Sequence, residues 1–288
     1  MEDELKTIFI SSEKFQSILN LINHKKNIIL QGPPGVGKTF IAKRIAYAMM
    51  GVKDESRISL IQFHQSYSYE DFMQGFRPND EGKFDLVNGI FYGFCRKAQR
   101  NPSDSHFFII DEINRGNLSK IFGEMLMLIE ADKRGPEFSI PLTYSQGLDD
   151  KFFIPENIFI IGTMNTADRS LAMVDYALRR RFSFITLMPK FSSAKFIKHL
   201  EKFSINKELI TKIVDRMTTL NEKIAEDTKN LGRGYTIGHS YFCPTVSSDN
   251  YDEEWYRTVI TTEIEPLVQE YWFDDPQKAQ NHIDFLIS

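Results

Sequence analysis

Five short apolar runs punctuate the first two-thirds of the chain: Asn27–Leu30, Leu60–Phe63, Phe107–Ile110, Ile158–Ile161 and Phe184–Leu187. Runs this short and this continuously apolar predict strands covered on both faces, as in a mostly parallel sheet. Between them apolar residues recur at helical spacing. Phe15, Ile18, Leu19 and Ile22 precede the first run, and Ile41, Ile45 and Met49 follow it. Leu118, Phe122, Met125, Leu126 and Ile129 follow Asp111, and Leu171, Val174 and Leu178 follow Asn165. This alternation predicts an α/β layered fold with helices on both sides of a central parallel sheet. Two stretches predict hairpins: Phe84–Phe94, around the turn signal Asn88-Gly89, and Phe138–Tyr144 returning through a polar turn to Phe152–Ile154. Beyond Pro189 the pattern becomes helical (Ile210, Ile213, Met217, Leu220, Ile224) with no clear strand. The expected division is therefore 1–189, a large α/β subdomain, and 190–288, a smaller, mostly helical one.

Composition narrows the chemistry. The 288 residues carry a formal net charge of −4. That charge lacks the basic excess with which proteins hold nucleic acid by bulk electrostatics, although a local basic patch would still serve. Cys95 and Cys243 are far apart and form no CxxC pair, so two free thiols in a reducing compartment are expected. The six histidines form no metal-ligand spacing. No apolar stretch reaches the ~18 residues of a membrane span, and the acidic, mixed start Met-Glu-Asp-Glu-Leu-Lys is unlike a signal peptide. A cytoplasmic enzyme with no membrane partner is expected.

The first apolar run ends in Gly32-Pro33-Pro34-Gly35-Val36-Gly37-Lys38-Thr39, a full match to GxxxxGK[ST] between a strand and a helix. Glycines let such a loop curl its N–H groups around phosphate oxygens, and the following helix adds its positive end. Lys38 supplies a point charge for the β and γ phosphates, and Thr39 a hydroxyl ligand for Mg²⁺. Phe107–Ile110 ends in Asp111 and Glu112, two acids at the carboxyl edge of the sheet. In register with a phosphate loop, Asp111 is expected to hold Mg²⁺ and Glu112 to polarise the attacking water. Ile158–Ile161 leads to Asn165, an amide placed to reach the γ phosphate or the water. Asp168 has two readings, an N-cap for the next helix or a member of the site. Arg179-Arg180-Arg181 closes that helix, where cations complement the helix dipole, or where a phosphoryl-transfer enzyme keeps an arginine for a neighbouring subunit. His239 is expected in packing or near the nucleotide rather than in catalysis.

Taken in order, Gln31–Phe40, Gln62–Phe72, Ile110–Arg115, Met164–Ser170, Asp175–Phe182 and Gly238–Phe242 resemble the McrB family, the AAA+ GTPase subunits of methylcytosine-specific McrBC restriction systems. The resemblance covers nearly the whole chain, and the Met164-Asn-x-x-Asp168 pattern separates this family from most AAA+ proteins. It implies GTP with Mg²⁺ as cofactors, a homo-hexameric ring formed with nucleotide, and an McrC-like endonuclease partner that stimulates hydrolysis. It implies hydrolysis coupled to DNA translocation, and a C-terminal helical lid. It also implies roles for Asn165 and Asp168 in positioning water or partner groups, and places Arg115, Arg169, Arg180 and Arg181 at subunit boundaries. Family members usually carry an N-terminal domain that reads methylated DNA. With the phosphate loop at Gly32 there is no room for it, so DNA contact is expected through the assembled complex or a domain missing from this sequence. The competing readings are a MoxR-like ATPase that remodels protein complexes, a nucleotide-gated scaffold, and a monomeric small-molecule kinase.

Overall fold

The computed structural model describes residues 8–145, 147, 150–168, 176–246 and 250–288. Strands β1 (Asn27–Gly32), β2 (Ile58–Gln62), β5 (His106–Asp111), β8 (Ile158–Asn165) and β9 (Ser183–Thr186) form one all-parallel sheet in the order β2-β5-β8-β1-β9. The alternation of side chains along each strand explains why the runs are continuously apolar. Phe107 and Ile109 pack on one face with Ile28, Leu30 and Phe159, under helices α1 (Ser12–Lys25) and α2 (Lys38–Met50). Phe108 and Ile110 pack on the other face with Ile29, Phe72, Phe91 and Phe122. That second face is covered by α3 (Tyr69–Phe72), α4 (Ile90–Arg100), α5 (Leu118–Phe122) and α6 (Met125–Leu128).

Helix α1 shows the local logic. Ser11 caps it by accepting from the Lys14 amide at 3.3 Å, and the periodic Phe15, Ile18, Leu19 and Ile22 are its buried stripe. Two further strand pairs are hairpins. β6 (Ile140–Pro141) and β7 (Lys151–Phe152) pair as the alternation predicts. β3 (Gln74–Pro78) and β4 (Phe84–Asn88) also pair, but not around Asn88-Gly89. Their turn lies at Asn79–Lys83, where the Asn79 side chain accepts from the Glu81 and Lys83 amides and Gly82 takes φ 73°. Asn88-Gly89 is instead the junction between β4 and α4. Gly89 donates to Met73 O at 2.6 Å, and a Cβ there would sit 2.6 Å from Phe72 O. Close backbone approach, not a turn, explains this glycine.

A second difference lies after Asp111. The single helix expected through Leu118–Ile129 is broken into α5 and α6 at Gly123 (φ 49°, ψ −129°). Of the helix patterned on Leu171, Val174 and Leu178, the structure describes α7 (Tyr176–Arg179); Leu171 and Val174 lie outside the described residues.

From Phe191 onward the described elements are helical: α8 (Ala194–Lys202), α9 (Lys207–Glu226), α10 (Glu253–Val259), α11 (Glu265–Tyr271) and α12 (Pro276–Ile287). They enclose their own core of Phe196, Leu200, Ile213, Met217, Leu220, Ile224, Tyr256, Ile260 and Trp272. Among the described residues no helix is long and apolar enough to cross a membrane.

Candidate active site

β5, β8 and β1 are adjacent in the sheet, so their carboxyl ends deliver three motifs to one place. Register fixes them closely: Gly32 lies opposite Asn165, and Ile110 opposite Gly162. Gly35 (φ 74°) and Gly37 (φ 77°) turn the loop through left-handed backbone, and Gly37 caps α2. The loop's N–H groups and the positive end of α2 thus share one concavity.

Lys38 Nζ donates to Gly32 O at 3.0 Å and Pro33 O at 2.9 Å, folding the side chain back over its own loop. Burial holds its ammonium below the usual lysine range, while Glu112, Asp111 and Asp168 pull the other way. A partly buried cation facing three carboxylates is a site made for an anion that is itself accompanied by a cation. Thr39 Oγ1 donates to Asp111 Oδ1 at 2.8 Å, so the two expected Mg²⁺ ligands already touch. Among the described residues no group of three or more His, Cys, Asp or Glu could hold a metal. A cation here would complete its shell with phosphate and water oxygens, which suits Mg²⁺ and the hard oxygen donors of Thr39 and Asp111.

Glu112 has φ 50° and ψ 47°, a left-handed conformation rare outside glycine and characteristic of functional turns. Its carboxylate lies 3.4 Å from Arg115 Nε, and Arg115 Nη2 lies 2.9 Å from Asp168 Oδ2. Asp168 first, then Glu112, raises the Arg115 guanidinium further above its ordinary value. Asp168 is therefore drawn into the site by Arg115. Asn165 accepts from the Ala167 amide at 3.2 Å, and with Asp168 and Pro34 it lines a cavity of about 580 Å³ reaching to Tyr235 and Tyr271.

The arginines separate. Arg180 is exposed. The Arg181 side chain is 10% exposed, its Nε 2.9 Å from Glu130 Oε1. Arg169 lies outside the described residues. His239 is buried against Phe9, Phe191 and Phe196, its Nδ1 accepting from the Lys190 amide at 3.1 Å. Cys95 is buried and Cys243 partly buried, both free.

Two contributors escaped the sequence reading. Thr163 is buried, donates to Asp111 Oδ1 and accepts from the Glu112 amide at 3.3 Å. Its signal was faint: a threonine two residues before Asn165, hence on the same face of β8. The other is the backbone contact of Gly234–Ser240 with the phosphate loop, of which the sequence offered only His239, expected in packing or near the nucleotide, and Gly238–Phe242 within the family resemblance.

Comparison with known proteins agrees with this geometry. The AAA domain (dynein-related subfamily) matches residues 27–182, and the McrB alpha-helical lid domain matches residues 212–280. The type IV methyl-directed restriction enzyme EcoKMcrB subunit of Escherichia coli (strain K12) is 50% identical over all 288 residues. The type II restriction enzyme BsuMI component YdiS of Bacillus subtilis (strain 168) is 28% identical over 194 residues, 55% of this chain. The chain spans 62% of the length of the first relative, and the alignment with the second covers 56% of that protein. With the phosphate loop, the two acids and Asn165 on three neighbouring strand ends, and a helical lid of the McrB type behind them, the chain belongs to the AAA domain family, dynein-related subfamily, and within it to the McrB family.

Proposed function

We propose that this chain is the GTP-hydrolysing AAA subunit of a methyl-directed restriction complex. The observation that carries the reading is the Thr39–Asp111 contact at 2.8 Å, set beside Lys38 and facing Glu112 and Asn165. The Gly32–Thr39 loop, through Gly32, Pro33, Pro34, Gly35, Val36 and Gly37, wraps the phosphates, and Lys38 swings from Gly32 O and Pro33 O onto the β and γ oxygens. Thr39 and Asp111 hold Mg²⁺, which when bound neutralises the charge shared by those oxygens. Glu112 orients the attacking water once Arg115 yields its carboxylate. Asn165 fixes the water or the γ oxygens from the neighbouring strand end, and Asp168 keeps Arg115 beside them. Guanine over adenine rests on the McrB kinship, because a phosphate loop does not read the base.

The remaining roles follow the same kinship. The chain assembles with nucleotide into a homo-hexamer in the cytoplasm, residues 1–189 forming the large subdomain and 190–288 the lid. Arg180, exposed where Arg181 is committed to Glu130, reaches the neighbouring subunit's site. Arg169 belongs to the same boundary. An McrC-like endonuclease docks on the ring, and hydrolysis drives DNA translocation for it. Steady-state hydrolysis of GTP and ATP, with mass measured in parallel, tests the reading. GTP turnover above ATP turnover, with nucleotide-dependent assembly, is expected. ATP turnover above GTP turnover would favour a protein-remodelling ATPase, and a persistent monomer would remove the ring.

A further inference from the structure

The lid segment Gly234–Tyr241 is tied to the catalytic loops through backbone atoms. Gly238 N–H donates to Pro34 O at 2.8 Å, and Ser240 N–H donates to Gly35 O at 2.9 Å. Thr166, next to Asn165, donates through Oγ1 to Gly234 O at 2.9 Å and through its amide to Gly32 O at 3.1 Å. Two lid residues and Thr166, just beyond β8, thus claim the carbonyls of Gly32, Pro34 and Gly35. The approach is as close as backbone permits. A Cβ on Gly238 would lie 1.9 Å from the Gly35 carbonyl carbon, and a Cβ on Gly35 would lie 2.5 Å from the Tyr241 ring.

The segment is itself gripped from the lid side by one residue. Asn221, on α9, accepts from the Ile237 amide at 2.6 Å and donates to Ile237 O at 2.9 Å. Asn221 is half-buried, and both of these hydrogen bonds go to Ile237 rather than to the phosphate loop. Ile237 is fully buried. On the far side, His239 packs among Phe9, Phe191 and Phe196. The chain of contacts runs from α9 through Asn221 to Ile237, then through Gly238 and Ser240 to the carbonyls of Pro34 and Gly35. A peptide group whose carbonyl is held has its neighbouring N–H groups aimed as well, because the peptide unit is planar.

We propose that Gly234–Tyr241 is a clamp that sets the shape of the phosphate loop, and that Asn221 is the positioning residue that holds the clamp in register. The inference rests on the reading of Gly32–Thr39 as the nucleotide site. Linkage makes it reciprocal: a clamp that favours nucleotide must itself be tightened by nucleotide, by the same factor. Loss of the clamp weakens binding in the ground state and in the transition state alike. It therefore raises KM and leaves turnover at saturation nearly unchanged.

The test has two arms on the full chain. Amide hydrogen exchange with and without GTP and Mg²⁺ should show protection rising together at 34–39 and at 234–241. Protection at 34–39 with none at 234–241 overturns the clamp and leaves the nucleotide site standing. No protection at 34–39 sinks the nucleotide site and the clamp with it. In the second arm, Asn221→Ala should raise KM for GTP about tenfold while kcat stays within about threefold and the nucleotide-free melting midpoint moves little. A merely structural asparagine would instead lower the melting midpoint and the active fraction with KM unchanged, and that result rejects the proposal. Gly238→Ala, which forces the segments apart, should raise KM further; nucleotide affinity within twofold of the parent in this variant also rejects it.

Discussion

At the scale of single residues, the site is most sensitive where one side chain serves two others. Thr163 is such a place, bonded to Asp111 and to the Glu112 amide. Thr163→Val keeps the volume and removes both bonds, so Asp111 and the strained Glu112 backbone lose their common support. We expect kcat to fall by roughly 10- to 100-fold, since small misplacements of reacting groups are costly, with stability lower by about 1–3 kcal/mol for the orphaned amide. Turnover within twofold of the parent at saturating GTP would remove Thr163 from the positioning scheme. His239 offers a different measurement. Burial first, then the charges of Lys190 and His199, pushes its imidazole down to about 4. In the unfolded chain it titrates near 6.5. Between those values the unfolded state binds the extra proton, so stability is full above about pH 6.5 and is lost as pH falls towards 4, by on the order of 3 kcal/mol. His239→Asn keeps an acceptor for the Lys190 amide and cannot take the proton. Urea unfolding at pH 7 and 4.5 should show a smaller acid loss in the variant; equal losses would mean the ring is not held neutral. Thr163 also marks the limit of reading the chain alone. Gly32–Thr39 was legible because its chemistry is local and its residue types are few. Thr163 was not, because its meaning depends on an aspartate 52 residues earlier.

At the scale of elements, the sheet was legible and its supports were not. Each central strand announced itself through an apolar run, since burial on both faces leaves no polar alternation. β3, with Gln74, Gly75 and Arg77, has no such run, and its hairpin was displaced onto Asn88-Gly89 as a result. The helix after Asp111 was read as continuous because periodicity survives across Gly123, while the backbone there does not. The most telling omission is Arg134, an unremarkable cation in sequence that is 2% exposed in the fold. Burial pushes its guanidinium down to about 10, yet it stays charged at neutral pH. It donates to Ile129 O at 3.1 and 2.9 Å, to Ile158 O at 2.8 Å and to Asn27 Oδ1 at 2.8 Å. Asn27 in turn donates to Ile129 O and Arg181 O. One residue thus joins the starts of β1 and β8 to the end of α6 and the turn after α7. Arg134→Ala would take the guanidinium donor from Ile158 O and Asn27 Oδ1, leave Ile129 O to Asn27 alone, and open a void. A loss of roughly 3–5 kcal/mol is expected, as for breaking other buried charged networks. Urea titration reads it directly, and a change under 1 kcal/mol would show that the network is replaceable. Because the sheet's amino end lies opposite the catalytic edge, KM for GTP in the folded fraction should be unchanged.

At the scale of the whole molecule, the site described here is incomplete in a specific sense. In the function proposed above, its own chain supplies the phosphate loop, the cation ligands, the water-orienting acid and the amide. Two boundary candidates are exposed, Arg115 and Arg180; Arg115 is paired with Glu112 and Asp168 of its own chain, whereas Arg180 follows α7 and does not line the cavity of Asn165 and Asp168. In the proposed ring that arginine completes the next subunit's site, so Glu112 and Arg180 of one working site belong to different chains. Complementation tests this geometry without knowing the ring's detailed structure. Glu112→Gln alone and Arg180→Ala alone should each lower turnover by about 10³-fold or more, the usual worth of such groups in phosphoryl transfer, while both still bind GTP through Lys38. Mixed in equal amounts and allowed to assemble, the two inactive chains should recover activity. A site is whole wherever an Arg180→Ala chain, keeping its Glu112, is followed by a Glu112→Gln chain, keeping its Arg180. Random mixing makes about a quarter of the sites whole, so recovery to roughly a quarter of the parent rate is expected if sites act independently. The double variant mixed with the parent supplies the control, because it adds no new whole sites. If the mixture stays inactive although light scattering shows mixed assemblies, Arg180 acts on its own chain or not at all. The shared site would then have to be built from Arg115 or Arg169 instead.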